Sequence, residues 1–200
     1  MDEANAQKLE ETLRSFNIPA KVQHITHGPA ITRFALGLMA SGINVKRIQN
    51  IADNIALDLA ADGAIRIESQ IPGTNLFGIE VPNKERQFVQ LGCMLTGDTF
   101  VNAKSSSIMF TMGKDAGNRK VYGDISKMIH MLVAGSSGSG KSVFLGALII
   151  SLIYKYSPEE LRLILIDPKK TEFVLYNDLP HLMINEIITD VGKAVQSLNS

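Results

Sequence analysis

Residues 135 to 142 read Gly135-Ser136-Ser137-Gly138-Ser139-Gly140-Lys141-Ser142, eight positions that satisfy the spacing G-x-x-x-x-G-K-[ST]. Met131-Leu132-Val133-Ala134 before them is an apolar run of strand length, and Val143 to Tyr154 after them reads as a buried helix. Strand, glycine loop and helix in that order commit the second half of the chain to an α/β arrangement. Glycines let the backbone turn its N–H groups inward around an anion, and the start of a helix adds unpaired N–H groups and the positive end of its dipole. A glycine-serine linker matching by chance has no reason to carry these flanks. The eight residues therefore read as a cradle for the phosphates of a nucleoside triphosphate. Lys141, the candidate catalytic residue, reaches the β and γ phosphates, and the Ser142 hydroxyl ligates Mg²⁺.

Two hundred residues with 45% apolar content and a mean hydropathy of +0.09 are ample for a packed core. The longest near-apolar run, Val143 to Tyr154, is interrupted by Gly146 and Ser151 and falls short of the roughly 20 residues a bilayer crossing needs. No membrane contact and a cytoplasmic setting are expected of these residues. Met1-Asp2-Glu3-Ala4-Asn5 lacks the apolar region of a secretory signal. The single cysteine, Cys93, excludes an internal disulfide, fits a reducing compartment and reads as a small apolar packing residue. Charge is balanced, 20 basic against 20 acidic side chains, and splitting the chain after Ser105 leaves neither half basic. Composition thus gives no support for a nucleic-acid module, although a stripe assembled by folding or oligomerisation would escape this count.

Leu9, Leu13 and Phe16 recur at helical spacing until Pro19 stops the helix. Lys21–Thr26 and Ile31–Leu36 alternate as strands around a turn at His27-Gly28-Pro29. After the Ser41-Gly42 break, Val45, Ile48, Ile51, Ala52, Ile55 and Leu59 mark one amphipathic helix, capped near Asp62-Gly63 by glycine. Strands are expected around Ile65 to Ile71 and over Phe77–Val81. Residues 1–105 thus read as a compact α+β domain whose Arg33, Arg47, Lys84 and Arg86 are solvated. Residues 106–200 form the second domain. Its first strands, 107–112 and 121–125, flank a turn at 113–118, and after the glycine loop come a strand at 161–167 and a helix at 190–198. Strands alternating with helices imply a parallel sheet.

Asp167 ends an apolar strand, as an acid that orders Mg²⁺ would, but Pro168-Lys169-Lys170 follows it where a hydrolytic base would place glutamate. A structural or interface acid is favoured over a metal ligand. Glu172 reads as a solvated loop carboxylate. His24, His27, His130 and His181 lack partners at ligand spacing and read as hydrogen-bonded structural histidines.

With these residues in place, the chain resembles the motor region of the FtsK/SpoIIIE family of bacterial DNA translocases. The likeness is carried by His27-Gly28-Pro29-Ala30-Ile31-Thr32-Arg33-Phe34, by Ile71-Pro72-Gly73 with Gly78-Ile79-Glu80-Val81-Pro82-Asn83, and by Gly113-Lys114-Asp115. It continues through Lys127 to Gly135 and Gly138 to Val143, then Ile166-Asp167-Pro168-Lys169 and Leu179-Pro180-His181-Leu182. Ile129 stands where the family commonly has proline, and Ser136-Ser137 where it often has alanine or threonine.

The resemblance implies an α domain over 1–105 and the first half of a RecA-like P-loop NTPase sheet over 106–200. It also implies a homo-hexameric ring around double-stranded DNA, driven by ATP with Mg²⁺ during chromosome segregation at division or sporulation. The family's membrane helices, its winged-helix domain and the acid pair of its second motif lie outside these 200 residues. The expectation is a piece cut within the motor that binds ATP without turning it over, from a protein of the bacterial membrane at the septum. A secretion or conjugation ATPase moving protein or single strands is the alternative.

Overall fold

The computed structural model describes residues 2–40, 42–128 and 130–199; Met1, Ser41 of the expected break, Ile129 and Ser200 lie outside the described residues. Two units divide the chain, Met1–Gln90 with Gly113–Val121, and Leu91–Met112 with Tyr122–Ser200.

In the first unit α1 (Asp2–Ser15) buries Leu9 and Leu13, one helical turn apart, against the sheet. The helix stops before Pro19 because Asn17 takes a left-handed conformation, φ 58°. The Ile18 N–H then reaches back to the Leu13 carbonyl and the Asn17 N–H to that of Arg14, which satisfies the helix end. Strands β1 (Ala20–His27), β2 (Ile31–Leu38), β3 (Arg66–Glu68) and β4 (Phe77–Pro82) form one antiparallel sheet in the order β1-β2-β4-β3, with a bulge in β1 between Val22 and His24. Phe34, Leu36, Phe77 and Ile79 face the same core as α1.

The single helix expected over Val45–Leu59 is two: α2 (Val45–Gln49), capped by the Asn44 side chain on the Lys46 N–H, and α3 (Ala52–Asp58). A tight turn separates them, closed by the Ile51 N–H on the Ile48 carbonyl. Ile48 and Ile55 still share one buried face, so the apolar period runs through the break. The left-handed cap also falls earlier than expected, at Ala60 (φ 47°) and not at Gly63, with the Ala61 N–H on the Ala56 carbonyl.

Arg33 corrects another expectation. It is not solvated but pairs with Glu80 directly across the β2–β4 ladder, its Nη2 2.7 Å from Oε1. Arg66 faces the same Glu80 from β3 at 3.2 Å, and Glu68 lies 3.3 Å from Arg33.

The second unit starts with the short helices α4 (Leu91–Leu95) and α5 (Asp98–Val101). Cys93 lies exposed on α4, not packed as expected, because the helix turns Met94 and Leu95 inward. Strands β5 (Met109–Lys114) and β6 (Lys120–Asp124) form a two-stranded sheet whose tip, Gly113–Val121, is counted with the first unit; β5 lies two residues and β6 one residue from the expected bounds. Asp124 closes its base by accepting from Ser126 and the Ile108 N–H, and these bonds, that of the Ser126 hydroxyl foremost, hold its carboxyl down to about 2.

Helix α6 (Lys141–Lys155) packs Ile149 and Leu152 inward, while its buried Ser151 hydroxyl meets Thr111 of β5 at 3.0 Å. The expected strand at 131–134 joins no ladder among the described residues, and Leu132 is 93% exposed. The run ending at Asp167 makes two isolated parallel bridges, Leu163 with Leu182 and Ile166 with Ile188. The fold is therefore mixed α/β with antiparallel ladders. Leu165, Leu182 and Ile187 form a small core with Ile149, and α7 (Val191–Asn199) closes the chain, its start capped by Asp190 on the Lys193 N–H. No helix among the described residues is long and apolar enough to cross a membrane.

Candidate phosphate-binding site

The loop before α6 is built on two left-handed glycines, Gly138 at φ 79° and Gly140 at φ 90°. A methyl group at either would meet nothing within 4 Å, so backbone conformation and not space demands glycine there. Gly135 is different: a methyl there would lie 2.2 Å from the Ser139 hydroxyl. The Ser139 N–H turns back onto the Ser136 carbonyl at 3.1 Å. Lys141 opens the helix, and the Phe144 N–H takes the Gly140 carbonyl, so the N–H groups of Lys141, Ser142 and Val143 come before the first helical acceptor.

Gly135 to Gly140 lie exposed, and the Lys141 side chain is 40% exposed. Helix start, open glycine loop, lysine and serine could hold a di- or triphosphate, with the Ser142 oxygen available as a ligand to Mg²⁺. Among the described residues no cluster of three His, Cys, Asp or Glu side chains could hold a metal by itself.

Asp167 sits 6% exposed at the end of its bridged segment, and both carboxylate oxygens are taken by backbone N–H groups. Oδ2 accepts from Thr171, Glu172 and Phe173 at 2.9 to 3.2 Å, and Oδ1 from Lys169 at 3.2 Å, while Lys170 between them is left-handed at φ 57°. The Glu172 N–H first, then those of Phe173, Thr171 and Lys169, hold the carboxyl below its ordinary value of 3.8 against the opposing effect of burial. Asp167 is thus an acid that folds a loop.

Because the folded pKa lies below the unfolded one, the stability Asp167 contributes is complete above pH 4 to 5. It is lost as pH falls through the lower folded value. Asp167→Ala is expected to lower the melting temperature by about 5 °C, and Asp167→Asn to flatten the loss of stability between pH 5 and 2. Melts across that range that leave the wild type and Asp167→Asn parallel would show that the carboxylate does not hold the loop.

The loop delivers Glu172, and here the expectation of a solvated carboxylate fails. Its Oε1 accepts from the Ser142 hydroxyl at 2.9 Å and lies 3.6 Å from Lys141 Nζ. Thirty residues separate the partners, and no local pattern marks such a contact. His181 is buried and bonds the Tyr156 carbonyl through Nε2 at 2.8 Å; His27 faces the Thr32 hydroxyl at 3.3 Å; His24 and His130 lie exposed.

Residues 94–200 match the model of the FtsK/SpoIIIE family, and residues 2–83 that of the FtsK alpha domain. A protein named DNA translocase FtsK from Clostridium tetani is 50% identical over 194 residues, covering 97% of this chain and 26% of that protein. Its namesake in Clostridium acetobutylicum is 47% identical over 98% of this chain and 25% of its own length. DNA translocase SftA of Bacillus subtilis is 42% identical over 98% of the chain and 20% of its own. The chain spans about a quarter of the length of the curated relatives it matches. On these matches to both models, the chain belongs to the FtsK/SpoIIIE family.

Proposed function

We propose that these residues belong to an ATP-driven translocase of double-stranded DNA serving chromosome segregation, with ATP and Mg²⁺ held at Gly135–Ser142. The observation that carries the reading is the glycine loop itself: left-handed Gly138 and Gly140 lead into a helix whose first side chains are Lys141 and Ser142. Family membership supplies the motor, and the relatives' names supply DNA as the cargo, which disfavours a secretion or conjugation ATPase. Lys141 would neutralise charge on the β and γ phosphates, and Ser142 would ligate the metal. In this reading residues 1–105 form the α domain and 106–200 the start of a RecA-like parallel sheet. Six copies would close a ring around the duplex in a protein anchored in the membrane at the septum.

Within the 200 residues ATP is bound without turnover. Among the described residues near the loop, Asp167 has both oxygens committed to N–H groups and Glu172 is committed to Ser142 and Lys141, so neither is placed to activate a water.

In the whole protein carrying these residues, linear duplex DNA is expected to stimulate ATP hydrolysis, and the motor to displace the third strand of a triplex. Stimulation by single strands alone, with no triplex displacement, would overturn the reading. The 200 residues by themselves, with zero net charge, are expected to bind duplex weakly. That binding should fall steeply between roughly 50 and 200 mM salt, as phosphate contacts do. Tight, salt-independent anisotropy changes would move the DNA site into the first unit.

A further inference from the structure

The Glu172 carboxylate lies where an anion is expected. One oxygen serves both groups that the loop would turn toward a nucleotide, Ser142 Oγ at 2.9 Å and Lys141 Nζ at 3.6 Å. Nor is it a wandering surface side chain. Its own N–H and those of both neighbours, Thr171 and Phe173, are fixed on Asp167, and its side chain is 27% exposed. From that anchored backbone the carboxylate spans the start of α6, neutralising Lys141 and accepting the hydrogen bond of the Ser142 hydroxyl, which leaves the Ser142 lone pairs for a cation.

We propose that Glu172 holds the loop in a self-occupied state and makes nucleotide binding depend on Mg²⁺; this rests on the reading of Gly135–Ser142 as a nucleotide site. Phosphate oxygens that reach Lys141 come within a few ångström of this carboxylate, where like charges repel even at the dielectric of water. Free ATP carries several such charges. Mg²⁺ carried by the phosphates and held through the Ser142 hydroxyl would offset most of that repulsion, so the metal complex would enter where the bare anion is held off. Glu172 is in this sense a specificity residue for the metal-bound form of the nucleotide.

The test is calorimetric titration of ATP into the 200-residue chain, once in excess Mg²⁺ and once in EDTA. Wild type is compared with Glu172→Gln, which keeps the shape and an acceptor for Ser142, and with Glu172→Ala as a second variant. Both variants are expected to tighten metal-free ATP by about tenfold and the Mg²⁺ complex by less than about threefold, so that the ratio of the two Kd values collapses. An unchanged ratio overturns the proposal. A variant that loses affinity only in Mg²⁺ also overturns it, and would make Glu172 a metal-holding residue. Wild type that binds ATP in neither buffer refutes the nucleotide site itself, a failure distinct from the other two.

Discussion

Lys141→Ala is expected to weaken Mg²⁺-ATP binding by about a hundredfold or more. Its ammonium is the one fixed positive charge of the loop, and two charge-assisted contacts to phosphate are worth about 1.5–3 kcal/mol each. The side chain is 40% exposed and its only ion pair in the described structure is with Glu172, so truncation leaves the fold intact. Titration of a fluorescent ATP analogue should show the loss while the melting temperature stays within a few degrees of wild type. Equal affinity in the two forms would remove the loop as the nucleotide site.

Glu80→Ala is expected to destabilise the first unit by about 3 kcal/mol, because it takes the main partner from a mostly buried guanidinium, Arg33. Glu80 is 4% exposed and receives Arg33 through Nε at 3.1 Å and Nη2 at 2.7 Å, with Arg66 on its other oxygen. Arg66 is 74% exposed and returns to water at little cost, whereas Arg33, 20% exposed, retains only Glu68. Replacing Arg33→Met and Glu80→Leu together with Glu68→Gln should recover most of the loss, since the buried charges are then removed and not orphaned. Urea unfolding reads both; a single-variant loss under about 1 kcal/mol would mean the pair behaves as a surface bridge.

Several elements could be read from short stretches because their causes are short-ranged. Leu9 and Leu13 one turn apart, with Pro19 beyond, leave α1 little choice of face or end. Alternation in Ile31–Leu36 and Phe77–Val81 placed β2 and β4 within a residue or two. The apolar run after Ser142 marked α6. Where the expectations failed, a local pattern was silent. The tight turn at Asn50-Ile51 keeps Ile48 and Ile55 in phase, so the apolar period looks the same for one helix or two. Ala60 took a conformation that glycine adopts more easily, because the Ala61 bond to Ala56 fixes the chain there three residues before Gly63.

By itself the sequence determined the phosphate loop as a pattern, since eight adjacent residues carry both the left-handed turns that only glycine takes without strain and the charge and hydroxyl that follow them. Tertiary structure alone decided what the acidic residues do. Arg33 and Glu80 stand 47 residues apart and become partners only when β2 and β4 pair in one register. Asp167 looked like a possible metal ligand until four backbone N–H groups of its own loop converged on it. Glu172 looked solvated until that loop carried it onto Ser142 and Lys141. A carboxylate's role depends on which donors folding brings within about 3 Å of it, and that distance is not written in the spacing of residues along the chain.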